Sequence, residues 1–176
     1  MVLIILWYNM YQNGSDLMYK CFNSDLTNRY GIPFEVGKTY HCDGEIKFGN
    51  NGNGFHMCQR LEDTLRYFDP MHDDVAICEV TGYGTCDKGE DTVYDYYDMY
   101  AYENMTINKR LSREEIINYA LQATGNRAQR FVTLYRLTPE EMTLFEKKFE
   151  YDFSVGQAID YYQRGIKDAY ERKRKK

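Results

Sequence analysis

Residues 49–68 of this chain read GNNGNGFHMCQRLEDTLRYF, which joins a glycine- and asparagine-rich turn to a short apolar segment and then to an amphipathic one. The apolar segment, residues 55–58, predicts a strand. A helix is predicted after it, because apolar residues recur on one helical face at Leu61, Leu65 and Phe68. Gly52 and Gly54 permit positive φ and let a ligand or another chain approach the backbone closely. The junction of strand and helix is therefore a favourable place for a binding site.

Further strands are predicted on both sides of this stretch, over residues 17–22, 34–36, 38–42, 45–48, 74–81 and 101–110. Asp43-Gly44 is a strong hairpin-turn signal between two of them. Gly82 and Gly84 are expected to end the strand at 74–81. Three helices are predicted after the last strand, with N-terminal capping patterns that start at Ser112, Thr138 and Ser154. This order predicts an α+β fold: a small, twisted, mixed or antiparallel sheet with one central helix and a C-terminal helical segment.

The domain organisation follows from length and composition. At 176 residues the chain predicts one domain with a helical appendage. We expect an N-terminal extension at 1–17, an α+β domain at 18–124 and a helical segment with a basic tail at 125–176. Gly125-Asn126 is the predicted joint. The apolar start of the chain is too short to span a bilayer and lacks the features of a signal peptide.

Cysteine usage predicts a reducing compartment. The five cysteines are scattered and form no CxxC pair, which is unlike a disulfide framework or a structural zinc site. We therefore expect a protein of the host-cell cytoplasm, with no metal site and no membrane partner.

Charge is distributed unevenly. The whole chain carries a net charge of −5, but residues 164–176 contain seven Lys or Arg against two acids, so residues 1–163 carry −10. A protein that reads nucleic acid usually has the opposite balance. We expect no direct, specific nucleic-acid reading.

A tyrosine- and acid-rich segment, residues 87–103, is the predicted binding surface. It contains six carboxylates and one lysine, and carboxylates beside aromatic rings can imitate a nucleic-acid backbone in a basic channel. A solvated loop with no partner is the alternative reading. The residues predicted to bind are Asp91, Tyr94, Asp95, Tyr96, Tyr97, Asp98 and Tyr100.

Four blocks in order resemble a small domain of unknown function that many phages and prophages of Firmicutes encode. The blocks are Tyr19-Lys-Cys-Phe-Asn-Ser-Asp-Leu26, Phe34-Glu-Val-Gly-Lys-Thr-Tyr40, Gly54-Phe-His-Met-Cys58 and Ala101 to Leu111. The resemblance covers roughly residues 18–120. It implies a phage or mobile-element origin and no established activity.

The layout also resembles the ADP-ribosyltransferase fold. Residues 19–22 would be its first motif strand, Gly54 to Cys58 the second, and residues 65–68 its helix motif. By this resemblance Lys20 would hold the nicotinamide ribose of NAD, His56 would stand where a Tyr or Ser normally lies, and Glu103 would polarise the 2′-hydroxyl. Lys replaces the usual His or Arg, and Glu103 lacks an acidic or amide companion two residues away. The resemblance therefore implies an altered catalytic set.

Two functions compete on these observations. The chain contains no complete catalytic motif, and this favours a phage-encoded accessory protein that binds a host protein without a cofactor. The target would be a nucleic-acid-handling defence complex, as for an anti-CRISPR protein, and the acidic, Tyr-rich surface would engage it. The alternative is an NAD-using, ADP-ribosyltransferase-like enzyme with Lys20, His56 and Glu103 in its cleft.

Overall fold

The computed structural model describes residues 16–49, 52–71, 73–89 and 99–174. The chain divides into two compact units, one from residues up to Phe68 together with Asp74–Leu111, the other from Asp69–Asp73 and residues from Ser112 onward. The sequence placed the start of the helical segment at residue 125, whereas the second unit already includes Ser112. Except for its last two residues, the predicted extension at 1–17 lies outside the described part.

The first unit is a five-stranded antiparallel sheet, which confirms the predicted α+β class. Its strands are β1 (Asp16–Asn23), β2 (Thr39–His41), β3 (Phe55–Cys58), β4 (Val75–Gly89) and β5 (Met99–Arg110). The strand order is β2-β5-β3-β1-β4, and β4 also pairs with β5. The pairings β1–β4, β4–β5, β5–β3 and β3–β1 therefore form a closed ring.

The core of this unit comes from alternate residues of the long strands, since successive side chains of a strand point to opposite faces. Met18 and Phe22 of β1 are fully buried against residues of the other strands. Tyr102 of β5 is almost completely buried in the same cluster. Gly82 lets β4 pass this ring, because a Cβ at that position would lie 2.5 Å from it.

Several predicted elements of this unit differ in the structure. Residues 45–48 are not a strand, and β2 pairs with β5 rather than with a hairpin partner. The strand β4 does not end at Gly82 but continues to Gly89, with a register shift between Tyr83 and Cys86. The predicted central helix is a single α-helical turn, α1 (Leu61–Thr64), followed by a 3₁₀ turn (Leu65–Tyr67).

The second unit is helical and contains α2 (Arg113–Gln122), α3 (Gly125–Leu134), α4 (Pro139–Lys148) and α5 (Phe153–Arg174). The capping boxes predicted at Ser112 and Thr138 are both formed. Gly125 is the first residue of α3 rather than a joint, and a Cβ there would collide with the Asp152 carboxylate. That carboxylate, rather than Ser154, accepts from the first backbone amides of α5.

Candidate functional site

A cavity of about 590 Å³ lies where β1 meets β3. These strands share one registered pair, Tyr19 with Cys58, whereas β1 pairs with β4 along its whole length. The cavity therefore lies beside the shortest ladder of the ring. Its described lining contains three basic side chains and a set of aromatic rings, and no Asp or Glu is among these residues. The basic side chains are those of Lys20, Arg29 and Arg66, and the rings are Tyr19, Tyr30, Phe48, Tyr67 and Phe68.

Lys20 provides the most deeply placed cation. It lies on β1 between Met18 and Phe22, both fully buried, and its Nζ is 5.7 Å from the centre of the Phe22 ring. The ammonium donates to the backbone carbonyl of His56 at 2.5 Å. Among the described residues no carboxylate forms an ion pair with it. Burial lowers the pKa of Lys20 to about 8, because removing an ammonium from water disfavours its charged form.

His56 lines the same cavity, but its imidazole is engaged by the backbone. Gly49 N–H donates to Nε2 at 3.2 Å, and the ring also forms a hydrogen bond with the backbone of Gly54. Burial lowers the pKa of His56 below its usual range, which favours the neutral ring. The ring also packs against Phe48, with centroids 5.0 Å apart. His56 therefore anchors the glycine-rich loop at the cavity.

One wall of the cavity is a tight turn that Asn28 organises. Its side-chain Oδ1 accepts from the backbone N–H of Tyr30 at 2.9 Å and of Ile32 at 3.0 Å. The turn is closed by Gly31, which has a φ of +78°. These bonds fix the backbone that carries Arg29 and Tyr30, and the Arg29 guanidinium lies 5.0 Å from the Tyr30 ring centre.

Another part of the cavity wall is the 3₁₀ turn that follows α1. Leu61 and Leu65 are fully buried and anchor this segment. The turn then places Arg66, Tyr67 and Phe68 at the cavity. The Tyr67 hydroxyl contacts the sulfur of Met99, which is the first residue of β5.

Two thiols, Cys21 and Cys58, also line the cavity. Burial raises the pKa of Cys21 to about 12 and raises that of Cys58 further from its usual range. Thiols in this state are poor nucleophiles, because the thiolate is the reactive form. They act as apolar lining.

Glu103 does not join Lys20 and His56. It is absent from the cavity lining, and its Oε2 accepts from Thr85 N–H at 2.9 Å. That hydrogen bond holds the pKa of the carboxyl below its usual range. Lys20 and His56, two of the three residues predicted as a catalytic set, therefore come together. The third, Glu103, instead forms a hydrogen bond between β5 and β4. Sequence reasoning could not foresee this, because Glu103 was assigned by order along the chain.

The predicted binding surface falls mostly outside the described residues. This holds for Asp91, Tyr94, Asp95, Tyr96, Tyr97 and Asp98. Tyr100 is described and is half-buried: its ring lies 6.0 Å from that of Tyr102, with Lys88 Nζ 5.6 Å from its centre. At the start of the same segment, Asp87 accepts from the backbone N–H of Phe48 at 2.8 Å.

Arg29, Tyr30, Arg66 and Tyr67 were not predicted as site residues. The signal for them is an Arg-Tyr dipeptide that occurs twice, once in a turn before a glycine and once at the end of the quoted stretch. An isolated dipeptide carries little information. Only the fold shows that both copies line one cavity.

Two further searches cover the described ranges only. They contain no group of three or more His, Cys, Asp or Glu placed to hold a metal ion. No helix there has both the length and the apolar character needed to cross a bilayer.

Comparison with known proteins bears on family and not on activity. No curated protein matches the chain, and no solved structure matches it. Residues 17–119, more than half of the chain, match a family described only as Domain of unknown function (DUF7666). The match covers nearly the same residues as the resemblance found in the sequence, and the chain belongs to this family.

Proposed function

We propose that the sheet unit binds a small anionic molecule that carries an aromatic ring, in the cavity beside β1 and β3. The observation that carries this proposal is the Lys20 ammonium, which lies in an aromatic cavity without a carboxylate partner among the described residues. The chain has 27 Asp and Glu, and none of those in the described part of the chain lines the cavity. A local cationic site in an acidic chain favours selection of an anion.

The energetics support a ligand rather than a purely structural role for Lys20. Removing an ammonium from water costs several kcal/mol unless an opposite charge offsets it, so buried lysines are normally paired. One backbone carbonyl offsets only part of that cost. A ligand anion would supply the missing charge, and the surrounding rings would supply apolar contact area.

The test is binding of a ring-bearing anion, 8-anilinonaphthalene-1-sulfonate, measured by its fluorescence. We expect saturable binding that Lys20→Met weakens about thirtyfold, as for removal of one member of a buried charge pair. The matched control is Lys38→Met, which removes an exposed lysine that pairs with Glu35 outside the cavity. Equal binding by both variants and the wild type would contradict the proposal.

NAD belongs to the proposed ligand class, and the ADP-ribosyltransferase-like reading remains a second proposal. The presence of Lys20 and His56 in one cavity favours it. Glu103 lies outside the cavity lining, so NAD binding by the cavity and a role of Glu103 in ADP-ribose transfer are separate questions. Calorimetry with NAD on Lys20→Ala and on Glu103→Gln tests the two roles. If Glu103 takes part, both substitutions reduce binding or turnover. If the cavity only binds NAD, Lys20→Ala alone does so.

We also propose, as the sequence suggested, that the protein is a phage accessory protein that binds a host defence complex. The observation that favours this is the charge of −10 on residues 1–163 together with the acidic tyrosine segment. We expect a target captured from host lysate to dissociate as the salt concentration rises. The double variant Asp95→Asn/Asp98→Asn is expected not to capture it. Capture that is unchanged in this variant would contradict the proposed surface.

A further inference from the structure

The cavity has a deeply placed cation, Lys20, and an exposed part made of aromatic rings with arginine neighbours. Lys20 is only partly accessible and lies between two fully buried residues of β1. Tyr30 and Tyr67 line the same cavity but are 70% and 44% exposed. A ligand that satisfies both parts carries its negative charge at the end that enters first and its ring at the end that stays near solvent.

Each exposed ring is accompanied by a guanidinium from the preceding residue. Arg29 lies 5.0 Å from the Tyr30 ring centre, and Arg66 lies 6.0 Å from that of Tyr67. Tyrosine rings and arginine planes are the surfaces on which unpaired bases stack. Two such pairs on one cavity mouth therefore favour a planar base over a smaller ring.

The separation of charge from ring argues for a spacer between them. In a simple aromatic acid the carboxylate is attached directly to the ring, so both would compete for the same part of the cavity. A nucleotide separates its phosphate from its base by a ribose. The cavity volume of about 590 Å³ is within the range that accommodates such a molecule.

We infer that the ligand is a nucleoside 5′-phosphate, bound with its phosphate on Lys20 and its base against Tyr30 and Tyr67. This inference rests on the proposed anion-binding function and specifies its ligand class. The same chemistry is present in a free nucleotide and at the phosphorylated 5′ end of a single strand. Because Tyr30 and Tyr67 are exposed, the mouth leaves room for a chain that continues outward.

The test compares the parts of the ligand on the full-length protein. Calorimetry measures binding of adenosine 5′-monophosphate, adenosine, ribose 5-phosphate and a 5′-phosphorylated tetranucleotide. We expect adenosine and ribose 5-phosphate each to bind about tenfold or more weakly than the nucleotide, since one lacks the charge and the other the base. Tighter binding of the tetranucleotide than of the mononucleotide assigns the site to strand ends, and the reverse order assigns it to free nucleotides.

Variants test the orientation. Tyr30→Leu is expected to weaken the nucleotide about tenfold and to leave ribose 5-phosphate unchanged, because only the base uses the ring. Lys20→Met is expected to weaken both. The control is Tyr151→Leu, which changes a tyrosine that is 93% exposed in the helical unit.

The outcomes separate this inference from the function on which it rests. If the anilinonaphthalene sulfonate binds in a Lys20-dependent manner and the nucleotide does not bind, the ligand class is wrong and anion binding stands. If neither binds, both proposals fail. Equal affinity for the nucleotide and ribose 5-phosphate, with no effect of Tyr30→Leu, overturns the placement of the base.

Discussion

Lys20 occupies the middle of β1, on the face whose neighbours Met18 and Phe22 are fully buried. A strand position of this kind normally holds an apolar residue. The ammonium instead reaches one backbone carbonyl and the cavity. Replacement by an apolar residue should therefore be tolerated by the fold, so that effects on ligand binding can be separated from unfolding.

Ligand binding should depend on pH through Lys20. Its pKa is about 8 in the free protein, and an anion that contacts the ammonium raises that pKa. Affinity is therefore constant below pH 8 and falls about tenfold per pH unit above it, as the amine loses its proton. The pKa shifts of His56, Cys21 and Cys58, which also line the cavity, are directed away from pH 8. The pKa of His56 is lowered, and those of Cys21 and Cys58 are raised.

Fluorescence titration of the sulfonated dye between pH 6.5 and 9.5 measures this dependence. Lys20→Arg is the matched control, because a guanidinium keeps its charge over the whole range. Its affinity should not change above pH 8. The same decline in both proteins would assign the titration to another group.

Gly82 is the backbone position where the packing is tightest around Tyr102. A methyl group there would lie 2.5 Å from the Tyr102 ring and 2.8 Å from the sulfur of Met57. We expect Gly82→Ala to lower the free energy of unfolding by about 1–3 kcal/mol, the usual cost of overpacking a core. Urea denaturation measures it. Gly156→Ala is the control: nothing lies within 4 Å of its Cβ on α5, and alanine there should stabilise the helix slightly.

The turn that carries Arg29 and Tyr30 shows how an element outside the sheet shapes the cavity. Two of its backbone amides donate to the side-chain oxygen of one residue, Asn28, and hold it in place. The turn lies within the bridge between Thr27 and Pro33, so its ends are fixed as well. The arginine and the tyrosine are thereby placed before any ligand arrives, which reduces the entropy lost on binding.

Asn28→Ala should loosen this turn without unfolding the sheet unit. We expect ligand affinity to fall about threefold to tenfold, equivalent to roughly 0.5–1.5 kcal/mol for the lost hydrogen bonds. Asn108→Ala is the matched control, since it removes an exposed amide that donates to Thr81 and does not line the cavity. An equal loss of affinity in both variants would mean that the turn has no special role. The measurement is dye titration, with thermal unfolding as the check on stability.

Local signals predicted some elements well, and long-range pairing explains the others. The capping boxes at Ser112 and Thr138 involve residues three positions apart, so the sequence alone reveals them. The expected hairpin at Asp43-Gly44 was wrong because β2 pairs with β5, about sixty residues later in the chain. No local pattern shows that Thr39 lies beside Thr106.

The candidate site divides in the same way. Lys20 and His56 were predicted from the resemblance to the ADP-ribosyltransferase fold, and both lie on strands that local pattern identified. The β1–β3 pairing brings them to one cavity. Arg66 does not belong to the helical face that was predicted from Leu61, Leu65 and Phe68. It lines the cavity because the segment is two short turns, in which Glu62 and Asp63 are buried. Periodicity over eight residues could not distinguish these conformations.

At the scale of the whole molecule, the family match and the compact units have different ends. The match runs to residue 119, whereas the sheet unit ends at Leu111 and α2 belongs to the helical unit. The described lining of the cavity lies within one unit, since every one of its residues belongs to the sheet unit. Ligand binding should therefore be a property of the sheet unit alone.

A fragment of residues 1–111 tests this directly. We expect it to fold, because its strands form a closed ring with a core of their own, and to bind the sulfonated dye within about threefold of the full chain, since a small ligand is held by the residues that line its pocket. Near-ultraviolet circular dichroism reports the packing of its tyrosines, and fluorescence titration reports affinity. The same fragment with Lys20→Met controls for adsorption of dye to exposed apolar surface. A folded fragment that no longer binds would show that residues after 111 are needed at the site, and an unfolded fragment would show that the sheet unit depends on the helices for its stability.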